Sequence, residues 1–140
     1  RRALSENGIG LPPQWHHEVP YTLDDAREAA RYLFNLNDRP TAVVCGNDVL
    51  AFGALLEAQR LGIDVPRELS IVGFDDLELP LHVQPGLTTV HVPAEAMWRR
   101  AAERVLSMLH GEEAAHDTEI EVSLVVRGST GPAEKGRGRG

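Results

Sequence analysis

RPTAVVCGNDVLAFGALLEAQRLGIDVPRELSIVGFDD, residues 39–76, holds two short apolar runs on either side of one amphipathic stretch. The first run, residues 42–45, stops at Gly46, and the second breaks off at Gly73, Phe74 and the pair Asp75 and Asp76. Between them, Asn47 or Asp48 is placed to cap a helix that continues to Leu61 and ends at Gly62. Strands that are apolar and β-branched along their whole length, joined by a helix, belong to a parallel sheet covered on its faces. In open sheets of that kind, ligands bind beyond the carboxyl ends of the strands. The aspartates are therefore expected at a crevice.

The flanks extend the same alternation. Upstream, Thr22 and Asp25 have capping-box spacing, and Ala26, Ala29, Ala30 and Leu33 follow at helical intervals. QWHHEVPY alternates weakly and is read as a strand ending near Val19. The opening RRALSENGIGLPP reads as the last turns of a helix with Asn7 and Gly8 as its stop, which leads us to expect a piece of something longer. Downstream, LELPLHVQPG is extended, with Pro80 barring a central strand position, and LTTVHV is a further short strand. Pro93 opens a long helix closed by Gly111, TEIEVSLVVRG is the last strand, and the tail at 131–140 is expected to be disordered.

Composition narrows the function classes. With 140 residues, 42% hydrophobic and 25% charged, the chain has material for one real core. Net charge is −7, and three basic residues sit in the final ten, so the body is more acidic still. Such a surface repels phosphate backbones and argues against a DNA-binding face on these residues. The lone Cys45 excludes an internal disulfide and fits a reducing compartment. No apolar stretch is long enough to span a membrane.

Strand ends deliver Tyr21, then Asn47 and Asp48, then Phe74, Asp75 and Asp76. A metal centre finds little support, because His16, His17, His82, His91, His110 and His116 have no ligand spacing and no phosphate-binding glycine loop accompanies the acids. Acid/base or nucleophilic chemistry lacks a partner group, and Cys45 reads as core filler. Asp48 is expected to cap its helix, and Asp76 to do local work in the turn. Asp75 has no following helix to cap, so its carboxylate wants donors from outside, such as sugar hydroxyls or ring N–H groups. Asn47 adds a donor and an acceptor, and Tyr21 an aromatic face. Tyr21, Asn47 and Asp75 are the candidate ligand-binding residues. No catalytic, metal or cofactor residues are assigned.

NDVLAFG, VPRELSIVGFDD and LTTV, followed by SLVVRGST, together resemble the LacI/GalR family of bacterial transcription regulators, in order over about residues 2–130. The resemblance implies an α/β fold of the type I periplasmic-binding-protein kind, here a partial two-lobed domain. Residues 1–92 would be the second lobe, 93–122 a returning segment of the first, and 123–130 a final strand back to the second. It implies a cytoplasmic regulator that is not an enzyme and senses a sugar or purine-like effector without a cofactor. Operator DNA would be bound only through a region upstream of these residues. It sets Asp75 against the effector's polar groups with Asn47 beside it and Tyr21 at an aromatic position, while the family's effector-binding arginine would precede Arg1. A periplasmic sugar-binding protein and, behind it, a doubly wound enzyme are the alternatives.

One further pattern concerns self-association. Leu50, Ala51, Ala54, Leu55, Ala58 and Leu61 form an apolar arc able to cover a sheet, but Val49, Phe52 and Leu56 form a second arc. Leu77, Leu79, Leu81 and Val83 alternate with polar residues and proline just downstream. Contact with a neighbouring helix of the same lobe would explain the second arc. Two leftover apolar surfaces on consecutive elements also fit a partner subunit, and the resemblance points to a two-fold homodimer through them.

Overall fold

The computed structural model describes residues 1–78, 83–111 and 119–133. Its helices are α1 (Arg2–Glu6), α2 (Leu23–Phe34), α3 (Asp48–Arg60) and α4 (Ala94–Leu109), and its strands β1 (Ala42–Val44), β2 (Ser70–Val72), β3 (Thr89–His91) and β4 (Ser123–Val125). A 3-10 turn, Pro13–Trp15, lies between α1 and α2.

Local chemistry sets the helix ends. The Thr22 hydroxyl accepts from the Asp25 N–H at 3.2 Å, and Asp24 and Asp25 place negative charge in the first turn of α2. Asn47 Oδ1 accepts from the Leu50 N–H at 3.0 Å and starts α3. At the other end Gly62, at φ +70°, lets the chain turn back. Gly62 then donates to the Gln59 carbonyl and Ile63 to that of Ala58, the paired bonds of a Schellman stop.

β1 and β2 pair in parallel, with Ala42 opposite Ser70 and Val44 opposite Val72, and the Cys45 N–H adds a rung to the Val72 carbonyl at 2.8 Å. β3 and β4 pair antiparallel, Thr89 opposite Val125. Parallel bridges from Val72 to Thr88 and from Asp75 to His91 link the two pairs. Ser129, fully buried, reinforces that seam: its Oγ accepts from the Thr88 N–H and donates to the Ile71 carbonyl.

The core lies where α2 and α3 cover β1 and β2. Leu55, Leu69, Ile71 and Leu87 are almost free of solvent, with Ala51, Ala54 and Ala58 among them. Each such large side chain contributes roughly 1.5–3 kcal/mol. The first apolar arc of α3 thus does what its spacing predicts. Gly53 lets the helices close, since a Cβ there would sit 2.5 Å from that of Ala26.

Glu57, on the same α3 face, has no accessible surface. Its Oε1 accepts from Arg31 Nε at 2.8 Å and Arg60 NH2 at 2.6 Å, with Arg27 Nε 3.5 Å from Oε2. Because guanidinium groups do the enclosing, their hydrogen bonds outweigh desolvation, and the carboxyl is lowered to about 2. This seam with α2 involves Gly53 and Glu57. Val49, Phe52 and Leu56 are half-buried and lie outside the core cluster.

One expectation needs correction. Residues 16–19 form no strand: they follow the 3-10 turn without a ladder partner among the described residues, and an extended segment becomes a strand only by pairing. Val83 is partly buried and packs against the core cluster. Leu79 and Leu81, and residues 134–140 of the tail, lie outside the described residues. Helix α4 has no buried residue, and Trp98 on it is 67% exposed.

Candidate functional site

Three carboxylates gather where β1 and β2 end, and they are in different circumstances. Asp48 is 1% exposed at the first residue of α3. Its Oδ1 accepts from Thr89 Oγ1 at 2.6 Å and its Oδ2 from the Leu77 N–H at 2.7 Å. The expected capping role therefore falls to Asn47 instead, because the Asp48 side chain turns towards β3 and fixes the turn after β2. Gly73 makes room for it. A Cβ there would overlap Asp48 Oδ1 and crowd Leu87 and Ala51.

Asp76 is occupied as well. Its Oδ1 accepts from Arg127 NH2 at 2.6 Å, and its Oδ2 lies 3.0 Å from His91 Nδ1. The Arg127 hydrogen bond holds its carboxyl below the usual range, against a smaller opposing effect of burial. The same guanidinium donates from NH1 to the Leu87 carbonyl at 2.8 Å. Arg127 thereby links the segment after β4 to the strand-end turn.

Asp75 is left over. Its N–H donates to the Val90 carbonyl at 3.0 Å, but its carboxylate has no hydrogen-bond or ion-pair partner among the described residues. Desolvation first, and then the charge of Asp48, raise its pKa above the ordinary carboxylate value. Asp75 and Asp76 also stand at φ +105° and +57°, conformations that residues with a Cβ adopt at a cost of about 1–3 kcal/mol each. A carboxylate held near a buried like charge, without donors, has capacity for donors from a ligand.

The other two candidates share that edge. Asn47 and Asp75 are each the third residue beyond the paired Val44 and Val72, so adjacent parallel strands deliver them to the same end of the sheet. With Oδ1 of Asn47 engaged in the cap, its Nδ2 is available as a donor. Tyr21 is 68% exposed. Its ring comes within 3.7 Å of where a Gly46 Cβ would stand, which keeps it over the end of β1.

Sequence reasoning missed Thr89, His91 and Arg127 as neighbours of the aspartates. Arg127 lies 51 residues from Asp76, and nothing local in SLVVRGST signals the pairing. Burial, then the Asp48 charge, push the Cys45 thiol up to about 12, which disfavours the thiolate that a nucleophile needs. Among the described residues no three His, Cys, Asp or Glu side chains are arranged for a metal, and no helix is long and apolar enough to cross a membrane.

A periplasmic binding protein-like domain model matches residues 1–130. The chain belongs to that family. Within the family, its relatives are LacI-type regulators, as the resemblance implied. The HTH-type transcriptional repressor CytR of Escherichia coli K12 is 36% identical over 92% of this chain and 38% of its own length. A LacI family transcriptional regulator from Mycobacterium smegmatis is 34% identical with a TM-score of 0.84, over 94% of this chain and 50% of that one. The transcriptional regulator CelR in complex with cellobiose is 28% identical with a TM-score of 0.82, over 92% and 40%. The chain spans less than two fifths of the length of CytR. These relatives are regulators, not enzymes, and the doubly wound enzyme alternative falls away. The periplasmic binding protein-like fold, with a parallel β1–β2 pair covered by helices, agrees with the fold read from residues 39–76.

Proposed function

We propose that this periplasmic binding protein-like domain is the effector-binding part of a cytoplasmic transcription regulator, and that a small polar effector engages Asp75, Asn47 and Tyr21. The observation that carries the reading is the contrast among the three acids: among the described residues Asp48 and Asp76 have partners for their carboxylates, and Asp75 does not. A ligand bearing hydroxyl or N–H donors fits that vacancy, with Tyr21 as a stacking face. The cellobiose complex of CelR favours a sugar; a purine-like molecule presents the same donors. Operator DNA is engaged through a region outside these residues, and residues 93–122 belong to the other lobe. The regulator relatives favour this over a periplasmic sugar-binding protein.

Calorimetric titration of an intact version of the protein, with both lobes, against a panel of cellobiose, maltose, adenosine and guanine tests the reading. Asn tolerates positive φ, so Asp75→Asn removes the charge without altering the turn. A hydrogen bond to a charged group contributes about 1.5–3 kcal/mol, so affinity for the panel member that binds should drop about 10- to 150-fold. Equal affinity in Asp75→Asn, or no binding by any member, contradicts the proposal.

Self-association is part of the same reading. Leu77 is 41% exposed and tied through its N–H to Asp48, beside the first turn of α3. Together with the half-buried Val49, Phe52 and Leu56 it supports a two-fold homodimer surface. Burying each Phe or Leu stabilises by roughly 1.5–3 kcal/mol, so Phe52→Asp should raise the dimer dissociation constant by orders of magnitude in sedimentation. A wild-type monomer at micromolar concentration, or a dimer indifferent to Phe52→Asp and Leu56→Asp, rules the surface out.

A further inference from the structure

We infer that Arg127 is a positioning residue for the effector site: through Asp76 it holds the consecutive left-handed residues Asp75 and Asp76 in the conformation that presents the Asp75 carboxylate. The role assigned to that carboxylate rests on the proposal above; the clamp itself does not.

Two adjacent non-glycine residues at positive φ form a turn that the chain would leave if nothing restrained it. Three restraints converge on it. The Asp75 N–H is bonded to the Val90 carbonyl on β3, and the Leu77 N–H to buried Asp48. Between these two anchors, the Asp76 side chain is fixed by Arg127 at 2.6 Å and by His91 at 3.0 Å, while among the described residues nothing holds that of Asp75. Arg127 is itself immobilised. Its NH1 donates to the Leu87 carbonyl and its backbone N–H to Thr88 Oγ1 at 2.9 Å, so the guanidinium is aimed from a seated backbone. Asp76 and Arg127 are both mostly screened from solvent, 17% and 23% exposed in their side chains, so their pairing is not a frayed surface contact.

The consequence is a preorganised acceptor. A turn populated only part of the time weakens apparent affinity in proportion to the populated fraction, and restraining it removes that penalty. Because Arg127 follows β4, the segment that returns through β4 is linked directly to the turn that carries Asp75.

The test needs no ligand at its first step. Backbone amide exchange by NMR reads the Asp75 and Leu77 N–H groups, with those of Ala51 and Ile71 as core references. Arg127→Gln should speed exchange at Asp75 about tenfold or more while the references hold. Arg127→Lys, which keeps charge but not the fork, should fall between. The decisive variant adds Asp76→Gly to Arg127→Gln. Glycine adopts φ +57° without restraint, so Asp75 protection should recover in part. Unchanged Asp75 exchange in Arg127→Gln, or no recovery with Asp76→Gly, overturns the inference. If Arg127→Gln fails to fold, the Arg127→Lys comparison carries the same two outcomes. Binding of the responsive panel member then separates the two claims. Loss of affinity in Asp75→Asn but not in Arg127→Gln refutes the clamp alone, and unaltered affinity in Asp75→Asn refutes the site while leaving the exchange result standing.

Discussion

Glu57 and Asp75 are acids in the same small domain, and their surroundings give them opposite characters. Glu57, enclosed between α2 and α3, has three arginines around it and a carboxyl lowered to about 2. Asp75, at the sheet edge, has no cation paired to it among the described residues, a buried like charge in Asp48, and a raised pKa. The first carboxylate fastens two helices. The second destabilises its own turn slightly, and a fold tolerates such a group where a ligand supplies the missing donors. Partnering, more than burial, separates the structural acid from the functional one.

Removing the fastened charge should have the largest effect on stability. Glu57→Gln leaves Arg27, Arg31 and Arg60 converging on a neutral amide. Breaking a buried pair costs about 3–5 kcal/mol, but the arginine side chains are between 37% and 51% exposed, so about 2–3 kcal/mol is expected in urea unfolding. A loss below about 0.5 kcal/mol would mean that α2 and α3 are held by apolar contact alone. Gly73→Ala comes next. The added methyl displaces Asp48 Oδ1 and crowds Leu87, so overpacking of about 1–3 kcal/mol should appear, with faster amide exchange at Leu77. An unperturbed Leu77 amide would show that Asp48 does not anchor the turn.

The pH dependence carries the comparison in its sign. Glu57 is lowered from an ordinary 4.5, so its stabilisation is present above that value and is lost as pH falls through about 2. Asp76, also lowered, acts in the same direction below its ordinary 3.8. Asp75 is raised from 3.8, so the folded state holds its proton more tightly. Its contribution is present at low pH and disappears as pH rises through the raised value. Unfolding measured from pH 7 downwards should therefore show a shallow gain before the acid loss, and Asp75→Asn should abolish the gain only. A gain that persists in Asp75→Asn belongs to another group.

How much of this was legible in the sequence follows from range. Capping at Thr22 and Asn47, the stop at Gly62 and the apolar arc facing the sheet depend on contacts within a few residues, and spacing exposes them. The strand-end rule put Asn47 and Asp75 at the same end of the β1–β2 pair without a structure, whereas Tyr21 approaches Gly46 from a segment that is no strand. What stayed hidden is long-range. The Asp48–Thr89 bond spans 41 residues and the Asp76–Arg127 pair 51, and neither leaves a local pattern. The contacts of Glu57 with Arg27 and Arg31 likewise join separate helices and leave no local pattern. The strand expected near Val19 failed for the converse reason. Alternation is a local signal, but a strand requires a paired neighbour.

The central claim is that Asp48 serves the fold and Asp75 serves a ligand. Thermal unfolding and calorimetric titration on Asp48→Asn and Asp75→Asn, side by side with wild type, test it most directly. Asp48→Asn should lower stability by about 1–3 kcal/mol, because an amide cannot accept from both Thr89 and Leu77 as the carboxylate does. Asp75→Asn should leave the melting temperature unchanged or slightly higher and weaken binding of the responsive sugar or purine about 10- to 150-fold. An Asp75→Asn protein that melts early and binds normally would contradict the account.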